Sequence, residues 1–143
     1  MPVDIERGPW ADLQAPATAV RRAVFVEEQG VDESEELDGK DSEAAHVVAF
    51  DDGTAVGTAR LRLVDAGVAK AERVAVLESA RDAGVGTALM TAVEEMATER
   101  DATTMRLHAQ TRVRPFYEEL GYEVVSGEFE EAGIPHVEMV KRL

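Results

Sequence analysis

Arg81-Asp82-Ala83-Gly84-Val85-Gly86-Thr87 is the stretch on which the fold turns. It separates a strand-like run, Ala71 to Leu77, from a helix-patterned run, Thr87 to Arg100. Two glycines one residue apart let a turn come close to a ligand. The helix behind them aims its unpaired N–H groups and positive dipole end into that turn. Such a turn is a cradle for an anion, most simply a phosphate. A P-loop would need Lys where Thr87 stands, and a dinucleotide fingerprint would need Gly where Leu89 stands. The competing interpretation is a glycine-rich helix entry that binds nothing.

The chain has 143 residues, 45% of them hydrophobic, which suits one domain spanning residues 1–143 with a core of its own. No apolar run reaches the roughly 20 residues of a membrane span, and Met1 to Gly8 lacks a signal-peptide pattern, so a cytoplasmic protein is expected. There is no Cys, which excludes disulfides, thiolate metal sites and Cys nucleophiles. The net charge of −14 argues against a nucleic-acid partner. The acids are dispersed, and of 15 basic residues only Lys40, Lys70 and Lys141 are Lys. A high-salt cytoplasm tolerates such a surface because salt screens its self-repulsion, so a halophilic source is expected.

Working outward from the glycine turn, the helix over Gly84 to Arg100 buries Ala88, Leu89, Ala92, Val93 and Met96. An earlier helix is predicted over Asp12 to Glu28, with Leu13, Ala17, Val20, Val24 and Phe25 on one face and Pro16 tolerated only in its first turn. Strands are predicted over Val3 to Glu6, Ala45 to Phe50, Ala55 to Val64, Val68 to Leu77, Thr104 to Ala109, Tyr122 to Val125 and His136 to Val140. Asp51-Asp52-Gly53 signals a hairpin, Gly30 to Glu43 a loop, and Pro115 to Leu120 a short helix closed by Gly121. The order β-α-β-β-β-α-β-α-β-β gives an α/β fold, a mixed sheet with helices on both faces. Its β-α-β unit around the glycine turn needs parallel neighbours.

Arg81-x-x-Gly84-x-Gly86 between a strand and a helix resembles the coenzyme A pyrophosphate loop of the GNAT superfamily of acetyl-CoA-dependent N-acyltransferases. The element order is also that of this fold. Arg73-Val74-Ala75-Val76 resembles the family strand whose main chain pairs with the pantetheine arm. Gln110-Thr111-Arg112-Val113-Arg114-Pro115-Phe116-Tyr117 resembles the motif Asn-x-x-Ala-x-x-x-Tyr, with Gln110 and Val113 as departures. Three further segments resemble the ElaA-like acetyltransferases: Arg22 to Gln29, Leu37 to Asp41 and Gly133 to Met139.

The resemblance implies acetyl transfer from acetyl-CoA to a primary amine of a small molecule, by direct attack in a ternary complex. It implies that Arg81, Asp82, Ala83, Gly84, Val85, Gly86 and Thr87 hold the pyrophosphate, that Val74, Ala75 and Val76 pair with pantetheine, and that Gln110 stands for the family's Asn. Tyr117 would protonate the leaving thiolate; its alternative is packing beside Phe116. Glu72 and Glu28 are the candidate bases, each alternatively a solvated acid. His46 and His136 open strands and are alternatives of either kind, while His108 is expected to pack in a core strand. The His residues lack HExxH spacing, and no metal is implied. Arg60 and Arg62 share a strand face and would favour an acceptor bearing a carboxylate, unless they pair with the protein's own acids. Two other functions fit the same loop: a non-catalytic acyl-CoA-binding sensor or interaction module, and a protein N-acetyltransferase drawing basic peptides to Asp32–Asp41. A homodimer is left open.

Overall fold

The computed structural model describes residues 3–143. Its strands are β1 (Asp4–Pro9), β2 (Ala45–Asp51), β3 (Thr54–Asp65), β4 (Val68–Val76), β5 (Thr104–Gln110), β6 (Glu123–Val124), β7 (Phe129–Glu131) and β8 (Ile134–Arg142). Its helices are α1 (Trp10–Arg21), α2 (Glu33–Glu36), α3 (Val85–Glu99) and α4 (Arg114–Glu119). The strands form one mixed sheet in the order β1-β2-β3-β4-β5-β8-β6, with β7 on β8. Among the described residues only β4 and β5 pair in parallel, joined by α3.

Alternation divides the residues of β2 between two layers. Val47 and Ala49 face α3, within a cluster that holds Leu89, Val93 and Met96; Val48 faces α1 with Leu13 and Ala17. The β2–β3 hairpin turns at Asp52 and Gly53, both at positive φ (50° and 81°), the conformation of a tight two-residue turn. Leu89 and Met96 are fully enclosed. Truncating either to Ala should cost about 2–5 kcal/mol.

The structure departs from the predicted elements in several places. The first helix starts earlier, at Trp10, so Pro16 lies in its interior. It also does not run unbroken to Glu28: residues Arg22–Glu28 form a π-helix, a wider turn that commonly marks a site. Within the acidic segment, α2 is capped by the Asp32 carboxylate, which accepts from Ser34 N at 3.0 Å. That segment is tied to the first helix and to the sheet by buried ion pairs. Arg21 reaches Glu36 at 2.9 Å and Asp41 at 2.7 Å, and Arg60 reaches Asp38 at 2.8 Å. The predicted strand at Tyr122–Val125 is reduced to the two residues of β6, and β7 was not foreseen because Glu130 and Glu131 mask its alternation.

Candidate active site

Parallel pairing of β4 with β5 lasts only from Val68↔Thr104 to Ala71↔Leu107. Beyond it the strands separate, because β4 bulges. Arg60 pairs with Glu72 and Thr58 with Ala75, so Arg73 and Val74 together stand against Ala59. Arg73 takes a positive φ of 56° at this point. Its guanidinium holds the bulge down by bonding Glu36 O at 3.0 Å and the Glu36 carboxylate at 3.0 Å. The gap between the strands opens into a cleft of about 1010 Å³.

The glycine turn forms one end of that cleft. Gly84 caps α3 at φ 81°, and Ala88 N is the first helix donor to find a partner, Gly84 O at 3.1 Å. The N–H groups of Val85, Gly86 and Thr87 are therefore left outside the helix ladder. A Cβ on Gly84 would meet nothing within 4 Å, whereas one on Gly86 would strike Phe116 Cζ at 3.0 Å. The space beside Gly84 is open, whereas Gly86 packs tightly against α4. Arg81 Nε donates to Val76 O at 3.0 Å, tying the turn to the cleft strand.

Every residue expected at the site except Glu28 and Ala83 lines the cleft. Tyr117 is 7% exposed, and burial pushes its phenol pKa above the ordinary value, so the hydroxyl keeps its proton. Gln110 Nε2 donates to Gln29 Oε1 at 2.9 Å across the cleft. The extra methylene relative to Asn supplies that reach.

Both carboxylates expected as bases sit in ion pairs. Glu72 accepts from Arg62 Nε at 2.6 Å and Arg60 Nη2 at 2.9 Å, and Lys70 Nζ lies at 3.3 Å. Burial would raise its pKa, but the hydrogen bonds from Arg62 and the charges of Arg60 and Lys70 outweigh burial and hold it at about 2. A carboxylate so held is a poor proton acceptor at neutral pH. Glu28 forms a two-pronged pair with Arg81 at 2.7 and 2.6 Å, and the hydrogen bond from Arg81 lowers its pKa. Arg60 and Arg62 are likewise taken up by Glu72, Asp38 and Asp41, leaving neither guanidinium for a substrate carboxylate.

His108 is not a core residue. Leu107 and Ala109 face the core, so His108 and Gln110 face the opposite side, towards the first helix. Since Gln110 was already assigned to the site, the two-residue spacing was signal enough to place His108 there. His108 Nδ1 lies 2.9 Å from Glu131 and its Nε2 3.2 Å from Glu138. His136 and Glu131 line the same wall. His46 is structural: its Nε2 contacts Asp41 O at 2.9 Å, and burial lowers its pKa.

A family model described as an acetyltransferase (GNAT) domain matches residues 13–143. The chain belongs to the GNAT acetyltransferase family. It is 46% identical over 123 residues to the uncharacterized N-acetyltransferase YjcF of Bacillus subtilis (strain 168), covering 85% of this chain and 87% of that one. It is 31% identical over 148 residues to protein ElaA of Escherichia coli (strain K12), covering 94% and 96%. A crystal structure of an acyl-CoA N-acyltransferase from Pseudomonas aeruginosa superposes with a TM-score of 0.84 at 29% identity, covering 98% of this GNAT chain and 99% of the other.

Proposed function

We propose that the protein is an N-acetyltransferase that moves the acetyl group of acetyl-CoA to a primary amine of a small molecule. The observation that carries this is the strand split itself. A cleft opens between β4 and β5 directly beside the positive end of α3, with the phenol of Tyr117 at its wall. The pyrophosphate lies on the N–H groups of residues 83–87 beside Arg81. Beyond Ala71 the main chain of β4 has no β5 partner, so Val74 to Val76 can pair with the pantetheine amides. The amine enters from the face of the first helix and attacks the thioester carbonyl in a ternary complex. Tyr117 protonates the thiolate. Neither Glu72 nor Glu28 is free to act as base, because both are ion-paired.

A small acceptor is favoured over basic peptides because three of the six acids of Asp32–Asp41 are held in internal ion pairs. Glu36, Asp38 and Asp41 are bound by Arg21, Arg60 and Arg73. Turnover is favoured over a sensor role because Tyr117 lines the cleft as a protonated phenol, a group able to donate to a leaving thiolate. The test is thiol release from acetyl-CoA with a panel of primary amines, beside calorimetry of acetyl-CoA alone. Binding without thiol release for any amine would leave the sensor reading. No binding would remove both.

A further inference from the structure

We infer that His136 takes the proton from the acceptor nitrogen, and that the acceptor arrives as a cation held by Glu131; this deepens the N-acetyltransferase reading and rests on it.

The geometry starts from His136 Nδ1, which lies 2.6 Å from Ile134 O. A carbonyl only accepts, so Nδ1 carries the hydrogen and the lone pair of the neutral ring sits on Nε2. The nearest carboxylate to Nε2, Glu131 Oε2, is 3.8 Å away, beyond hydrogen-bond range. The residue is 7% exposed and lines the cleft, and its Nε2 has no hydrogen-bond partner among the described residues. His108, by contrast, has both ring nitrogens within hydrogen-bond distance of a carboxylate, Glu131 and Glu138. Phe129 fixes both rings, edge-on to His108 at 5.0 Å and stacked on His136 at 6.1 Å. The groups facing His136 are Glu131 from β7, His108 from β5 and Glu138 two residues along β8, with Arg112 on the same cleft wall. Glu131 is 47% exposed, so it can meet an incoming ammonium and afterwards steady the imidazolium.

Gln110 pairs with His136 across β5 and β8, which sets the imidazole level with the end of the strand split. The step balances as follows. The ammonium gives one proton to His136 Nε2, and the neutral nitrogen forms the C–N bond with the thioester carbon. The C–S bond breaks, and Tyr117 protonates the sulfur. A second proton from the acylated nitrogen restores Tyr117, and His136 returns its proton to water. The products are the amide, coenzyme A thiol and one released proton.

The test uses saturating acetyl-CoA with tyramine and with spermidine. His136→Asn keeps a donor for Ile134 O and removes the base. It should lower kcat/KM for the amine by roughly 10²–10⁴-fold and abolish a rising limb of the pH profile, with acetyl-CoA affinity and melting temperature unchanged. Glu131→Gln should raise the amine KM more than it lowers kcat. Nitrogen-15 NMR of the wild-type imidazole needs no variant. It should show the Nδ1–H tautomer, and an Nε2–H tautomer would overturn the assignment whatever the activity. If wild type turns over and His136→Asn matches it, this inference alone fails. If wild type releases thiol with neither amine, the transferase reading for such amines fails with it.

Discussion

Replacing Glu72 with Gln keeps the side-chain shape and removes the negative charge shared by Arg60, Arg62 and Lys70. The carboxyl is held at about 2 in the folded protein against an ordinary 4.5. At 1.36 kcal/mol per unit, the pairing is worth roughly 3 kcal/mol at neutral pH. That is a large share of the roughly 5–15 kcal/mol that stabilises a domain, but Arg60 keeps Asp38 and Asp41, so the variant should still fold. The sign follows from a depressed folded-state pKa. The stabilisation is complete above pH 4.5 and is lost as the pH falls towards about 2. Urea denaturation of wild type and Glu72→Gln should therefore differ most at pH 7, with a gap that narrows below pH 4.5. Turnover per folded molecule should stay within a few-fold. Wild-type stability at pH 7 would refute the ion-pair account. Retained stability with a turnover loss of about 10²-fold would restore Glu72 as the base.

Gly84→Ala places a methyl group in the open cradle and strains a left-handed residue by roughly 1–2 kcal/mol, so the fold should survive while calorimetry records a large loss of acetyl-CoA affinity. Tyr117→Phe should bind acetyl-CoA normally and lose about 10²–10⁴-fold in turnover; equal turnover would return Tyr117 to packing. Glu28→Gln releases Arg81 for the pyrophosphate. Because a pair about one-third exposed is worth at most about 1 kcal/mol, acetyl-CoA should bind up to about fivefold tighter, and weaker binding would place Glu28 in the cofactor site. If the charge of −14 marks a halophilic surface, the melting temperature should climb as NaCl rises from about 0.1 M to about 1 M, where the Debye length falls from about 10 Å to about 3 Å. A flat or falling curve would count against that origin.

The elements and the glycine-turn end of the cleft could be read from the chain because they depend on local chemistry. Gly84 and Gly86 must lie between a strand and a helix to form the turn, and the 3.6-residue stripe of Leu89, Val93 and Met96 could only be a buried helix face. Tyr117 was placed by its spacing from Gln110. The opposite wall of the cleft was hidden because it depends on which residues of distant segments meet. Glu72 and Glu28 had the right composition for bases, but the fold surrounds the first with Arg60, Arg62 and Lys70 and hands the second to Arg81. His108 and His136 had no spacing between them that marks a site. Antiparallel pairing of β5 with β8, and the unforeseen β7 bringing Glu131, puts them on one wall. A local pattern sets which atoms a segment offers; the partners that desolvate, pair or free those atoms lie up to dozens of residues away, and only the register of the sheet chooses them.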